Sequence, residues 1–317
     1  MTQDRATITR RRFVAISAAA IGVAVAGLSI PAAANAPLAR WRGVALGAAA
    51  SITLRHPEAD RIVTACRAEI DRLEDIFSLY RGDSALSRLN ADGKIDAPPF
   101  ELLELLGRCG ALHAATGGLF DPTVQPLWAA YAEAFAGGRA PDADTIARAL
   151  ERVGWASVST ESGRIAFLKP GMALTLNGIA QGYVADRVAA LLRAEGLTDV
   201  LVNTGEMRAI GGHPDGGAWP VSFDDGRSEP AGSMELRDAA LASSAPLGTA
   251  FDAGGRVGHI LDPRTGRPAA PEWRLVSVTA KTAALADGLS TAFCLMSRAE
   301  IERTLAQFPD ARLAYLA

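Results

Sequence analysis

Apolar side chains recur every three or four residues along residues 57–80, which is the spacing of one face of an α-helix. Pro57 and Glu58 suit the first turn of such a helix, because proline needs no amide partner there and a carboxylate favours the positive end of the helix dipole. The pattern predicts further helices over residues 98–116, 144–153, 181–194 and 283–296. The helix over 98–116 is expected to stop at Gly117-Gly118.

Between these segments lie short runs that predict β-strands. Residues 157–168, interrupted by Glu161-Ser162-Gly163, indicate a hairpin. The other predicted strands are residues 41–54, 173–176, 200–203, 220–223, 233–237 and 275–279. Because strands cluster and do not alternate strictly with helices, the order favours an α+β fold over a doubly wound sheet. We expect a single domain with a mixed or antiparallel sheet and flanking helices.

The first 36 residues have a different pattern. Arg10-Arg11-Arg12-Phe13 precede an apolar, alanine-rich run, and small residues follow around Ala34 and Ala36. A basic, an apolar and a small-residue region in this order indicate a signal peptide, and the paired arginines indicate the twin-arginine type. An uncleaved membrane anchor is the alternative. We therefore predict a leader over residues 1–36, one domain over residues 37–317, and a periplasmic location, membrane-anchored if the leader is retained.

Composition narrows the class of protein. The 317 residues are 49% hydrophobic and 21% charged, which excludes a disordered chain. The net charge is −3, and removing the leader's four arginines and one aspartate leaves 28 basic and 34 acidic residues, a net charge of −6. This balance argues against a nucleic-acid partner. Cys66, Cys109 and Cys294 form no C-x-x-C pair, so we expect buried thiols and neither a disulfide framework nor a structural zinc site.

A candidate metal site lies in the last predicted long helix. Asp287 and Thr291 are four residues apart and share one helix face. A carboxylate and a hydroxyl so placed are hard oxygen ligands that suit Mg²⁺. The alternative is an aspartate stabilised by the helix dipole, with Thr291 merely packed.

A second candidate is the loop that joins a predicted strand to the helix over residues 181–194. Its sequence, Thr175-Leu-Asn-Gly-Ile-Ala-Gln-Gly-Tyr183, places small residues where the backbone could approach an anion at a helix N-terminus. It matches neither G-x-G-x-x-G nor G-x-x-x-x-G-K-[ST], which excludes the usual dinucleotide and P-loop motifs. An ordinary β–α turn remains the alternative.

Three further segments carry possible chemistry. His259, in Gly-His-Ile-Leu-Asp-Pro-Arg-Thr-Gly, can take a proton near neutral pH, although a lone histidine is more often structural. His56 and His113 are interpreted as structural, and His213 is left open. Residues 77–90 and 116–128 each fit a helix end followed by a turn, and Tyr80 could stack on a flat heteroaromatic ring.

Taken together, these five segments resemble the FAD:protein FMN transferases, the ApbE flavin transferase family. The motifs F-S-x-Y…S-x-L-S-x-L-N, G-x-F-D-P-T-V-x-P-L, G-I-A-x-G-Y-x-x-D, H-I-x-D-P-x-T-G and A-D-x-L-S-T-A occur in order from Phe77 to Ala292. The L-N-G-I-A-Q-G-Y form and the twin-arginine leader most resemble the branch associated with nitrous oxide reductase maturation.

The resemblance implies an α+β fold that binds FAD and Mg²⁺. It also implies transfer of FMN from FAD to a threonine or serine hydroxyl of an acceptor protein, with release of AMP. The acceptor would be an exported protein with a Ser/Thr flavinylation motif, for example a membrane redox protein. By match to the motifs, the metal ligands are the Gly178 carbonyl, Asp287 and Thr291. The implied FAD contacts are Leu46, Tyr80, Leu119, Phe120, Asp121, Thr175, Gln181 and His259. His259 and Asp287 are the implied catalytic residues.

The chain departs from the family pattern at four places. Thr175 stands where many members have Asp, and Gln181 where many have Lys or Glu. Asn-Thr-Gly-Glu at residues 203–206 replaces Gly-Gly-Asp, and Leu46-Gly-Ala replaces Met-Gly-Thr. These changes bear on nucleotide affinity more than on metal binding. Two other functions stay open: a hydrolase that splits FAD into FMN and AMP, and a periplasmic module that holds FAD without turnover.

Overall fold

The computed structural model describes residues 37–226, 231–270 and 272–317, and the predicted leader lies outside them. This part of the chain has an α+β fold, as predicted. Its strands are β1 Leu38–Ala45, β2 Ala48–Arg55, β3 Lys94–Asp96, β4 Val158–Glu161, β5 Arg164–Phe167, β6 Val200–Asn203, β7 Met207–Ile210, β8 Trp219–Phe223, β9 Gly232–Leu236, β10 Ala240–Ser244, β11 Val276–Ala280 and β12 Arg312–Leu316. Its α-helices are α1 Ala59–Phe77, α2 Ala85–Asp92, α3 Phe100–Ala115, α4 Gln125–Ala136, α5 Ala143–Leu150, α6 Ala180–Ala194, α7 Ala283–Phe293 and α8 Arg298–Leu305.

Seven strands form the main sheet, in the order β1-β2-β6-β7-β10-β11-β12. Every neighbouring pair in it is antiparallel. A three-stranded sheet, β3-β5-β4, and the β8–β9 hairpin stand apart from it. β7 is the central strand of this sheet, and on its β6 side β6 also pairs with β2, where Ser51 lies opposite Asn203. Because β6 and β7 are antiparallel neighbours, the loop that joins them lies at one end of the two strands.

Both faces of the main sheet are covered. On β10, Ala240 and Ala242 join the large core formed with α1, α6 and α7, whereas Leu241 between them joins a second cluster. That second cluster includes Trp219 and Phe223 of the β8–β9 hairpin. Because successive strand residues point to opposite faces, β10 is apolar on both sides and lies in the interior of the fold.

The predicted strand over residues 173–176 is wrong. This segment joins no sheet, because its backbone groups bond elsewhere. Leu174 N donates to Asn90 Oδ1 at 2.7 Å and not to a neighbouring strand, while Asn90 Nδ2 donates to Leu174 O at 2.8 Å. Thr175 N donates to Pro122 O at 2.8 Å. The asparagine of the S-x-L-S-x-L-N motif thus holds the loop that leads into α6.

Other predictions need smaller corrections. Residues 41–54 form two strands and not one, since Leu46 and Gly47 turn the chain with φ angles of 48° and 83°. The three cysteines are free and buried, as expected, and burial raises the pKa of the Cys66 thiol to about 12. Among the described helices, none is both long and apolar enough to cross a membrane.

Candidate functional site

A cavity of about 850 Å³ opens beside the N-terminus of α6, one face of α7 and the β6–β7 loop. Nine of the residues implied by the family motifs line it: Leu119, Phe120, Asp121, Thr175, Gly178, Gln181, His259, Asp287 and Thr291. They come from segments up to about 170 residues apart in sequence, so folding brings the separate motifs to one place.

The G-Y-x-x-D motif on α6 sets the position of α7. Asp186 accepts hydrogen bonds from the backbone amides of Ala283 and Ala284 at 2.9 and 3.0 Å, which caps the N-terminus of α7. Gly182 lets the two helices approach closely, because a Cβ atom there would lie 2.3 Å from the Ala283 carbonyl oxygen. Together these contacts fix the helix turn that carries Asp287.

We expect Gly182→Ala to lower the free energy of unfolding by about 3 kcal/mol, because the added methyl group overlaps the Ala283 backbone, which has no free space to retreat. Gly107→Ala on α3 is the matched control, since nothing lies within 4 Å of its new methyl group. That control should be as stable as the wild type or about 0.5–1 kcal/mol more stable. Urea unfolding measures both, and a Gly182→Ala protein of wild-type stability would refute the close contact.

Asp287 is a buried carboxylate at the cavity wall, with 3% of its surface exposed. Its Oδ2 accepts a hydrogen bond from Gly182 N at 3.1 Å. Burial raises the pKa of Asp287 to about 7, and Asp186 adds a smaller repulsion in the same direction. The ionised form of Asp287 is therefore unfavourable when nothing neutralises its charge, and a bound cation would stabilise it.

Gly178 and Thr291 complete a group of hard oxygen donors. A Cβ atom on Gly178 would lie 3.1 Å from Thr291 Oγ1, so the glycine backbone is close to the hydroxyl and a side chain there would crowd it. Within the described residues there is no group of three or more His, Cys, Asp or Glu side chains that could hold a metal ion. A carbonyl, a hydroxyl and few carboxylates fit Mg²⁺, which uses few protein ligands and keeps waters or substrate phosphates.

Glu206 is a functional candidate that the sequence analysis noted only as part of the segment that replaces Gly-Gly-Asp, without assigning it to the site. It follows β6, lines the cavity and is 8% exposed. Burial, followed by repulsion from Asp287, raises its pKa well above the usual range of a glutamate. Arg40 and Arg42 on β1 also line the cavity and were not anticipated. The alternation of β1 could have indicated that the two arginines share a face, but not that this face meets the cavity.

His259 lines the cavity and is half-buried. Its Nδ1 is 3.0 Å from the Thr249 carbonyl oxygen, and the neutral tautomer with a proton on Nδ1 donates there. Burial lowers the pKa of His259, although the carbonyls of Thr249 and Pro246 partly oppose the shift. The ring is therefore neutral at pH 7 and its Nε2 is able to accept a proton.

The segment around Asp121 has a structural role as well as a place in the cavity wall. Asp121 Oδ1 accepts hydrogen bonds from Thr123 N at 2.8 Å and Thr123 Oγ1 at 2.6 Å, and Oδ2 accepts from Trp155 N at 3.3 Å. His113, interpreted as structural, supports this turn because its Nδ1 lies 3.1 Å from Phe120 O. The G-x-F-D-P-T-V motif thus shapes one wall through internal hydrogen bonds.

Leu46 and Tyr80 are not among the residues that line the cavity. Leu46 sits at the β1–β2 turn, where its amide donates to Glu74 Oε1 at 2.6 Å. Glu74 also pairs with Arg81, the residue after Tyr80, so the two predicted contacts lie near each other. Tyr80 is 36% exposed, with its amide bonded to Ser78 Oγ at 3.0 Å. Their roles in FAD binding stay predictions.

Comparisons with known proteins agree with the fold and the motifs. The ApbE family model matches residues 46–316. An FAD:protein FMN transferase from Treponema pallidum is 30% identical over 263 residues, which is 76% of this chain and 72% of that protein. The flavinyl transferase ApbE of Pseudomonas stutzeri, solved in its apo form, is similar in structure with a TM-score of 0.76 and 28% identity, covering 86% of this chain and 89% of that one. The ApbE protein of Thermotoga maritima has a TM-score of 0.78 and 27% identity, covering 87% and 93%. The chain belongs to the ApbE family.

Proposed function

We propose that this chain is an FAD:protein FMN transferase that moves FMN from FAD to a threonine or serine hydroxyl of an acceptor protein. The observation that carries the proposal is the single cavity on which Asp287, Thr291, Gly178 and His259 converge. Its volume of about 850 Å³ is within the range of cavities that enclose a cofactor-sized ligand.

The reaction exchanges one phosphorus–oxygen bond for another. The acceptor hydroxyl oxygen bonds to the FMN phosphorus of FAD, the bond from that phosphorus to the bridging oxygen breaks, and AMP leaves with this oxygen. The hydroxyl proton passes to a base, and we assign that role to Nε2 of His259, which is neutral at pH 7. Catalysis of this kind depends mainly on positioning and on charge neutralisation.

Mg²⁺ is the proposed cofactor, and when bound it would neutralise charge on the pyrophosphate oxygens. Asp287, Thr291 Oγ1 and the Gly178 carbonyl would hold it, and the Gly182 amide keeps the Asp287 carboxylate oriented through its Oδ2. Because the whole chain carries a net charge of −3, its overall field does not attract the anionic substrate. Arg40 and Arg42 supply positive charge beside the cavity in addition to the metal.

The biological setting is also a proposal. The twin-arginine leader supports a periplasmic enzyme, which stays anchored to the membrane if the leader is not removed. The acceptor would then be an exported protein with a Ser/Thr flavinylation motif, such as a membrane redox protein. The Leu176-Asn-Gly-Ile-Ala-Gln-Gly-Tyr183 sequence supports the branch linked to nitrous oxide reductase maturation.

One assay tests the proposed function against its alternatives. Purified protein is incubated with FAD and Mg²⁺, with and without an acceptor peptide that carries a Ser/Thr flavinylation motif. We expect covalent, fluorescent flavin on the peptide together with an equal amount of AMP. Free FMN and AMP at the same rate in both samples would instead indicate a hydrolase. Unchanged, bound FAD would indicate a binding module without turnover.

A further inference from the structure

Glu206 has an unexplained place in the site. It lies between β6 and β7 and is 92% buried, yet it lines the cavity. Its Oε2 accepts a hydrogen bond from Ser243 N at 3.2 Å, and its Oε1 accepts none from any described residue. Among the described side chains, Trp219 Nε1 is the one fully buried polar atom without a partner, so Glu206 Oε1 is open to the cavity and available to a ligand there.

Glu206 and the proposed metal ligand Thr291 both form hydrogen bonds with the same short segment of β10. Ser243 binds Glu206 through its amide, and the next residue, Ser244, has its Oγ 3.4 Å from Thr291 Oγ1. Ser244 Oγ also lies 2.8 Å from Ser290 Oγ, which holds the serine against α7. The β10 backbone therefore fixes Glu206 relative to the face of α7 that carries Asp287 and Thr291.

The two carboxylates share a common arrangement. Asp287 and Glu206 each use one oxygen to accept a backbone amide, from Gly182 and Ser243 respectively, and each leaves the other oxygen without a donor. Both carboxylates line the same cavity. Within residues 37–226, 231–270 and 272–317, no lysine, arginine or histidine forms an ion pair with either. Two carboxylates buried at one cavity without a counter-charge are unfavourable, and a cation bound at that cavity would neutralise them.

We propose that Glu206 is a second carboxylate that holds the divalent cation together with Asp287. This inference deepens the proposed function and rests on it for the identity of the metal. Glu206 contacts the ion directly or through one of its waters, and in either case adds negative charge to a site that otherwise has a single carboxylate. The orientation of Glu206 comes from the Ser243 amide, as that of Asp287 comes from Gly182.

The test is the affinity of the protein for Mn²⁺ alone, measured by isothermal titration calorimetry without FAD. Glu206→Gln should weaken binding at least about tenfold, because the amide keeps the shape and can still accept from Ser243 but carries no charge. Asp287→Asn is the reference for loss of a ligand. Glu300→Gln is the matched control, since Glu300 also accepts a backbone amide, that of Ser297, but lies in the capping box of α8.

Thermal unfolding gives a second readout. In EDTA at pH 8, Glu206→Gln should melt at the wild-type temperature or higher, because one of the two carboxylates that line the cavity is gone. With Mn²⁺ added, its gain in melting temperature should be smaller than that of the wild type. Unchanged Mn²⁺ affinity in Glu206→Gln, or no saturable binding by the wild type, would overturn the role of Glu206. If the wild type still transfers flavin in either case, the proposed function stands and only this inference fails.

Discussion

Asp287→Asn is expected to lower the rate of flavin transfer by about a thousandfold or more. Asp287 is the one carboxylate among the three ligands implied by the motifs, and several kcal/mol of charge stabilisation in a phosphoryl-type transfer would depend on the ion that it is proposed to hold. Asparagine keeps the side-chain shape and can still accept from Gly182 N, so the α6–α7 contact should survive. Steady-state transfer to the acceptor peptide at saturating FAD measures the effect.

Asp71→Asn is the control for the loss of a negative charge. Asp71 lies on α1, and 70% of its side chain is exposed. This variant should transfer flavin at the wild-type rate. The folded state of both variants is checked by circular dichroism and by melting in EDTA, where Asp287→Asn should be no less stable than the wild type because it removes a buried charge. Transfer at the full rate by a folded Asp287→Asn protein would exclude the metal assignment.

His259→Ala should slow transfer by about 10²- to 10⁴-fold while FAD binding stays within a few-fold of the wild type. The loss follows if the ring takes the proton of the acceptor hydroxyl. The binding of FAD should be kept because the imidazole is one of many groups around the cavity. Transfer rates and fluorescence titration with FAD measure the two effects separately, and His56→Ala, which replaces a histidine bonded to the nearby Glu58 amide, is the control.

The dependence of the transfer rate on pH distinguishes a catalytic base at His259 from a histidine with a structural role. Burial lowers the pKa of His259 below its usual 6.5, so the ring is neutral and active at pH 7 and becomes protonated only as the pH falls below 6.5. The wild-type rate should therefore stay level from pH 7 to 6.5 and decline below it. The profile is measured at saturating Mg²⁺, because the proposed cation would keep the cavity carboxylates Asp287 and Glu206 ionised and so separate their protonation from that of His259. A His259→Ala protein with the wild-type rate and the same decline would remove the base role.

Local patterns in the sequence were sufficient for the elements that carry the site. The four-residue spacing of Asp287 and Thr291 placed both on one helix, and α7 has them there. The prediction for the segment before α6 failed because its amides bond to Asn90 and to the Pro122 carbonyl, which are distant in sequence. The hydrophobic pattern of a segment does not predict hydrogen bonds to residues that are distant in sequence.

Several short elements were not anticipated. The strand β10 consists of Ala240, Leu241, Ala242, Ser243 and Ser244, residues with little β-propensity, and it is a strand because β7 and β11 pair with it. The same tertiary pairing explains why Glu206 was not assigned to the site. In sequence it belongs to a polar segment that differs from the family's Gly-Gly-Asp, and its hydrogen bond from the Ser243 amide of β10 appears only in the folded chain.

The central claim is that one cavity holds the metal and FAD together. It is tested most directly by a crystal structure with FAD and Mn²⁺, in which the anomalous signal of manganese locates the ion. We expect the peak at about 2.1 Å from an Asp287 carboxylate oxygen and from Thr291 Oγ1 and the Gly178 carbonyl, with the FAD pyrophosphate beside it. A peak elsewhere on the protein, or an ion with no bond to Asp287, would contradict the account.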